Sequence, residues 1–321
     1  VTAGPTGATG ATGPGSGSPA SAALEIARDI KLAHSVFALP FAALGATFAA
    51  VHAGPHGART DVAWPSFATS AALVLACMVS ARTAAMIANR LLDRAHDARN
   101  PRTAGRALPA GRLTVRAAVA GLALSSAVFV GGAVLFGVLQ GNWWPAALAL
   151  PVLAWITAYG LFKRFTALCH VWLGASLAIS PVAAALAVAP GALERGAPWL
   201  MACMVLCWVA GFDVIYALQD VEVDRREGLH SLPSRLGVPG ALRCARALHA
   251  AALGFLVALW VVVPEFGAWF GAAVAVVAVL LAVEHATVHR WGTTRIAATF
   301  TTVNGAVSLA VGAAGVASLL A

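Results

Sequence analysis

The chain has 321 residues, 60% of them hydrophobic and only 11% charged, and its mean hydropathy is +0.81. This composition excludes an ordinary soluble globular protein and points to a polytopic membrane protein. The net charge of +8 does not indicate nucleic-acid binding, since a basic patch needs a polar surface that this chain lacks; arginines in the loops between spans account for it better.

Residues 1–23 form a Gly/Ala/Thr/Pro-rich stretch with Gly4, Gly7, Gly10 and Gly13 spaced by three. Four triplets are too few for a collagen helix, and the stretch lacks the basic start and apolar core of a signal peptide, so it reads as a disordered cytoplasmic tail. A single domain is expected over residues 24–321. It contains nine apolar runs, each near the ~20 residues that a helix needs to cross a bilayer. They cover residues 32–51, 67–87, 115–138, 145–161, 167–188, 199–218, 247–263, 266–288 and 296–320, with the division at Pro264 and Glu265 the least sharply marked. The fold class expected is therefore all-α and integral to the membrane.

Basic residues gather in cytoplasmic loops. One side of the predicted layout holds Arg28 and Lys31, six arginines from Arg94 to Arg116, Lys163 and Arg164, five arginines from Arg225 to Arg246, and Arg290 and Arg295. The other holds only Arg59 and Arg195. The N-terminus and the charged loops are thus expected on the inner side of a bacterial-type cytoplasmic membrane, with an odd number of spans. Cys77, Cys169, Cys203, Cys207 and Cys244 have no zinc-type spacing and read as packing residues, although Cys203 and Cys207 share a helical face.

The chemistry concentrates in two stretches, residues 89–113 (NRLLDRAHDARNPRTAGRALPAGRL) and 213–236 (DVIYALQDVEVDRREGLHSLPSRL). Between them they hold seven of the thirteen acidic residues, and four spans separate them, so both face the same side. If the second predicted span continues past residue 87, Asn89, Asp93 and Asp97 lie on one face at steps of four, and Asp220 and Asp224 do the same at the end of the sixth. Like charges at this spacing need a counter-charge. Neighbouring arginines at a solvated helix end would explain one such pair; two matched pairs on one membrane side favour a site. Hard oxygen ligands without His or Cys suit Mg2+, and the arginines suit a polyanion. Together they fit a diphosphate leaving group on a lipid-soluble chain, hence prenyl transfer within a cavity that keeps water from an allylic cation.

The string NRLLDRAHDARNPRTAGRALPAG, followed by YGLFKRFT from Tyr159 and YALQDVEVDRREGLHS from Tyr216, resembles the UbiA-type intramembrane aromatic prenyltransferases over about residues 28–320. The resemblance implies nine helices around a central cavity, a polyprenyl diphosphate donor, an aromatic acceptor, and Mg2+ held between Asn89, Asp93 and Asp97 on one side and Asp220 and Asp224 on the other. It implies that Lys163 meets the diphosphate, with Arg164 second to it. Arg90 stands where many members carry Asp, which leaves that position without an assigned role. KLAHSVFALPFAALGA from Lys31 and the NRLLD variant resemble a branch of menaquinone synthesis by the futalosine route. Its acceptor would be 1,4-dihydroxy-6-naphthoate, in place of 4-hydroxybenzoate; both are hydroxylated aromatic carboxylic acids of respiratory quinone biosynthesis.

Arg82 lies two turns before Asn89, where a membrane-buried guanidinium needs a partner. That partner is either an acceptor carboxylate or diphosphate, or Asp213, which lies as far before Asp220. His34 sits at headgroup level or in the acceptor site. Tyr216 lies between Asp213 and Asp220 and could face a cation. Ser231 matches a family position and equally suits a helix cap. Trp64, Trp143, Trp144, Trp199 and Trp291 read as interface anchors. The competing reading is an ion-coupled transporter, since intramembrane acids also mark ion paths; the acids at span ends and their accompanying arginines speak against it.

Overall fold

A computed structural model describes residues 19–29 and 37–321. The regular structure of the described residues is helical, and the longest connection, residues 100–114 between the third and fourth α-helices, is non-helical. The helices are α1 (Pro19–Asp29), α2 (Leu39–Val51), α3 (Trp64–Arg99), α4 (Val115–Gln140), α5 (Trp144–Phe162), α6 (Cys169–Val188), α7 (Ala197–Tyr216), α8 (Val221–Arg226), α9 (Leu232–Val262), α10 (Ala268–Trp291) and α11 (Ile296–Leu320). Eight of them, α3 to α7 and α9 to α11, are long and apolar enough to cross a membrane. The first expected span is represented by the 13-residue α2, and residues 30–36 before it lie outside the described residues, as do 1–18. α1 begins at Pro19, inside the stretch expected to be tail.

Local signals set the helix limits. Thr114 caps α4 by accepting the Ala117 N–H, and Gly141 ends that helix in the left-handed region at φ 73°. Ser231 and Ser234 form a capping box at the start of α9. The chain breaks between Val262 and Ala268, so the division at Pro264 and Glu265 is real. α9 starts earlier than its apolar run, at Leu232, and kinks at Gly237 (φ 68°) just before Pro239.

The main core lies among α2, α7, α9, α10 and α11 and is built on Phe41, Phe48, Trp208, Leu256 and Phe270, each at most 1% exposed. Buried polar groups join these helices as well: the Trp208 indole N–H donates to Asn304 at 2.9 Å, and Asn304 donates to Glu284 at 3.2 Å. α6 and α7 approach closely at Gly174, where a Cβ would stand 2.4 Å from the Leu206 carbonyl oxygen. Of the tryptophans expected as anchors, Trp64, Trp143, Trp144, Trp199 and Trp291 are all exposed near helix ends.

The loops sort to two ends. At one end His52 meets Glu265 at 3.2 Å, Arg59 reaches Glu265 at 3.5 Å and His56 bonds Glu194 at 3.1 Å, which joins the α2–α3, α9–α10 and α6–α7 connections. The connections after α3, α5 and α7 meet at the other end and build the candidate site.

Candidate active site

α3 runs unbroken through the first motif, so the spacing of four becomes a shared face. Asn89, Asp93 and Asp97 are buried, whereas Arg94, Ala95 and Ala98 are exposed. Lys163, at the C-terminal end of α5, donates from Nζ to Asp93 Oδ2 at 2.6 Å. Asp93 Oδ1 is buried without a hydrogen-bond partner. One turn before Lys163, Gly160 makes room for Asn89: a Cβ there would lie 2.5 Å from Asn89 Oδ1. Arg106 Nη1 donates to both Asp97 oxygens at 2.7 and 2.8 Å, and Thr103 Oγ1 donates to the Asp97 carbonyl at 3.1 Å.

The second motif departs from its expected geometry. Asp220 and Asp224 do not extend the sixth span as one continuous α-helix: α7 stops at Tyr216, a 3-10 turn covers Ala217–Asp220, and Asp224 sits on the separate α8. The tighter turn changes the rotation per residue, so the face does not continue from Asp213 through Asp220. Asp220 is held by the loop that follows the first motif. Arg102 donates to it through Nε at 2.9 Å and also through Nη2, and Asn100 Nδ2 donates to it at 3.0 Å. Burial works against the Arg102 charge, but the hydrogen bonds and charge of Asp220 outweigh it and hold the guanidinium above its ordinary pKa. Arg102 Nη1 also reaches the Tyr216 hydroxyl at 3.2 Å, its guanidinium 5.4 Å from the ring centre. Asp224 accepts from the Ser231 hydroxyl at 2.7 Å, so Ser231 is both helix cap and partner of the motif.

Glu227 clasps the two motif-bearing segments from outside. It accepts from Arg99 Nε at 2.7 Å and lies 3.2 Å from His96 Nδ1, and the Arg99 hydrogen bond is the main cause that holds its carboxyl below the usual range.

The contact considered between Arg82 and Asp213 is not made. Asp213 Oδ2 bonds His170 Nδ1 at 2.7 Å instead, because the start of α6 brings the imidazole against α7. Arg82 turns into an apolar cavity of about 270 Å³ between α3, α4, α5 and α6, walled by Met86, Phe136, Ile156 and Leu177, with Tyr159 also on its lining. Tyr159 stands one turn before Lys163, which bonds Asp93, so the cavity's polar end adjoins the first motif. Arg90 is buried. Arg164 is exposed and donates to the Leu92 carbonyl at 2.6 Å. His34 lies outside the described residues. Cys203 and Cys207 are free thiols.

Among the described residues no three acidic, histidine or cysteine side chains converge closely enough to cage an ion; Asp93, Asp97 and Asp220 are held by basic side chains and Asp224 by a hydroxyl. The donor set nonetheless fits a hard divalent cation. It is all oxygen, and the Asp93 oxygen without a partner is the kind of buried atom that a cation satisfies. Sequence reasoning did not single out His170, Tyr159, Arg102 or Arg106. The two arginines were grouped as partners of a polyanion, Tyr159 lay within a quoted string, and His170 had no periodic signal.

The profile of the UbiA prenyltransferase family matches residues 35–310. An apo UbiA homologue from Aeropyrum pernix K1 is 32% identical, with a TM-score of 0.75 over 88% of this chain and 96% of that one. A UbiA homologue from Archaeoglobus fulgidus, solved bound to DMAPP and Mg2+, is 18% identical with a TM-score of 0.67 over 92% of this chain and 99% of that one, a likeness of fold alone. The 4-hydroxybenzoate octaprenyltransferase of Azotobacter vinelandii is 30% identical over 68% of this chain and 71% of that protein. The mitochondrial 4-hydroxybenzoate polyprenyltransferase of Caenorhabditis elegans is 34% identical over 49% of this chain and 42% of its own length. Against the first of these curated relatives the chain spans about half of their length.

Proposed function

Since this chain belongs to the UbiA prenyltransferase family, we propose that it transfers a polyprenyl group from polyprenyl diphosphate to a hydroxylated aromatic acid, of the 4-hydroxybenzoate or 1,4-dihydroxy-6-naphthoate type, in respiratory quinone biosynthesis. The observation that carries this reading is the junction of two carboxylate motifs, cross-linked by Arg102 and Asn100, with an apolar cavity whose polar residues include Arg82 and Tyr159.

Asn89, Asp93 and Asp97 from α3, with Asp220 and Asp224, would hold Mg2+. When bound, it supplies positive charge that stabilises the diphosphate as a leaving group. Lys163, which donates to Asp93, would bind diphosphate oxygens, and Arg102 and Arg106 lie among the carboxylates as further cations. As the C1–O bond of the donor breaks, the electron pair leaves with the diphosphate. An acceptor ring carbon then bonds to C1, and its proton passes to the departed diphosphate as the ring regains aromaticity. The walls of the cavity take the prenyl chain and exclude water from the allylic cation, and Tyr159 on its lining would offer a ring face to positive charge, whereas Tyr216 lies under the Arg102 guanidinium. Arg82 would pair with the acceptor carboxylate, which gives a purpose to a guanidinium at this depth, and Asp213, held by His170, would serve the acceptor as well. Arg164, exposed beside Lys163, would meet the diphosphate only peripherally, and His34, outside the described residues, would serve the acceptor.

The asymmetry of the arginines supports a location in a bacterial-type cytoplasmic membrane, with the motif loops facing the cytoplasm. The test is to supply membranes carrying the protein with labelled polyprenyl diphosphate, Mg2+ and each aromatic acid in turn, and to identify the product by mass. A prenylated acid supports the reading. Movement of an ion or solute into liposomes with no prenylated product overturns it in favour of transport.

A further inference from the structure

His170 sits at the second position of α6, 3% exposed, with both ring nitrogens engaged. Its Nε2 receives the backbone N–H of Leu232 at 3.2 Å. A backbone N–H can only donate, so Nε2 carries the lone pair and the ring proton of the neutral imidazole is on Nδ1. That N–H points at Asp213 Oδ2, 2.7 Å away, the short distance of a charge-assisted bond. A proton taken up at Nε2 would break the Leu232 bond. His170 is therefore built to orient Asp213 and not to act as a base.

The residues at the other end of this tether serve the donor side. His230 donates its N–H to the Lys163 carbonyl at 2.6 Å, Ser231 holds Asp224, and Leu232 holds His170. Three consecutive residues thus set Lys163, Asp224 and, through the imidazole, Asp213 in one register. The Asp213 side chain is 25% exposed, and its Oδ2 is committed to His170, which leaves Oδ1 for a ligand.

We infer that His170 is a positioning residue that presents the free oxygen of Asp213 to the hydroxyl of the aromatic acceptor, while Arg82 takes the carboxylate. The acceptor is then a ring with a carboxylate at one edge and a hydroxyl donor at another, held in register with the diphosphate site. This rests on the prenyl-transfer reading.

Two measurements test it. Histidine-selective 15N NMR of the detergent-solubilised wild type is expected to show an imidazole with protonated Nδ1 and bare Nε2 beside that of His52, whose Nδ1 donates to the Phe48 carbonyl; the His170 signal disappears in H170A and is disturbed in D213A. If H170A removes no signal of this tautomer from the spectrum, the tether is overturned. In steady-state assays H170A is expected to raise the acceptor KM by about tenfold or more and to shift the donor KM by less than about twofold. H170N, whose amide can donate from near the Nδ1 position, restores most of the loss, and H170A adds nothing to D213A. Equal losses in H170A and H170N for both substrates, matched by equal drops in thermal stability, would leave only a packing role and overturn the inference. An inactive wild type with every aromatic acid would instead sink prenyl transfer, and the 15N spectrum would still decide the tether.

Discussion

Arg102, in the loop after α3, grips Asp220, on the turn after α7, by two donors, with Nε 2.9 Å from Oδ1. The bond crosses 118 residues of sequence and closes the two acidic motifs over one another. The guanidinium fork matches a carboxylate and would equally match a diphosphate, so Arg102 can pass from one to the other as the donor arrives. We expect R102K, which keeps the charge and loses the fork, to raise the donor KM by about tenfold with the acceptor KM little changed. Titration of labelled polyprenyl diphosphate at saturating acceptor measures this; an unchanged donor KM would mean that Arg102 serves only to join the motifs.

In the proposed arrangement Asp93 and Asp220 would carry the cation requirement, Asp93 with an oxygen that has no protein partner. D93A and D220A are expected to insert in the membrane normally and to transfer the prenyl group at below about 1% of the wild-type rate at any Mg2+ concentration. Full activity in either variant would remove that residue from the cation site.

The Glu227 clasp makes an acid-side prediction. Its folded pKa lies below the unfolded value of about 4.3. The stability that it contributes is therefore complete above the unfolded pKa and is lost as pH falls through the folded one. Thermal unfolding in detergent should show wild type exceeding E227Q at neutral pH, with the gap closing as the solution is acidified below about pH 4. A gap that stays constant with pH would assign the clasp to uncharged hydrogen bonding.

These sites differ in how far they were legible in the sequence. Asn89, Asp93 and Asp97 could be placed on one face because a long helix makes a spacing of four predictive of position. Asp220 and Asp224 have the same spacing, but a 3-10 turn at the end of α7 breaks the helix between Asp213 and Asp224, and nothing in YALQD marks it. The expected contact between Arg82 and Asp213 fails for a different reason: both lie inside regular helices, and equal offsets along two helices say nothing of their rotation. His170, which takes Asp213 instead, lies 43 residues away in sequence and belongs to a different helix. Eight spans were readable, since apolar runs of bilayer length need no long-range information, whereas the first expected one is represented by the 13-residue α2.

Gly160 and Gly174 separate function from stability in one pair of variants. A Cβ at Gly174 would meet the Leu206 carbonyl at 2.4 Å and the Ala210 amide at 3.2 Å, backbone atoms that can move only if α6 and α7 part. A Cβ at Gly160 would meet the Asn89 amide oxygen at 2.5 Å and otherwise only ordinary contacts beyond 3.4 Å. An Asn side chain can rotate away cheaply, but it then leaves the face it shares with Asp93 and Asp97. G174A is therefore expected to lower thermal stability by about 1–3 kcal/mol. G160A is expected to fold with near wild-type stability and to need about tenfold more Mg2+ for half-maximal transfer, the effect of displacing a cation ligand. Thermal unfolding and a Mg2+ titration on both proteins check the pair. A G160A protein with normal Mg2+ dependence would take Asn89 out of the cation site.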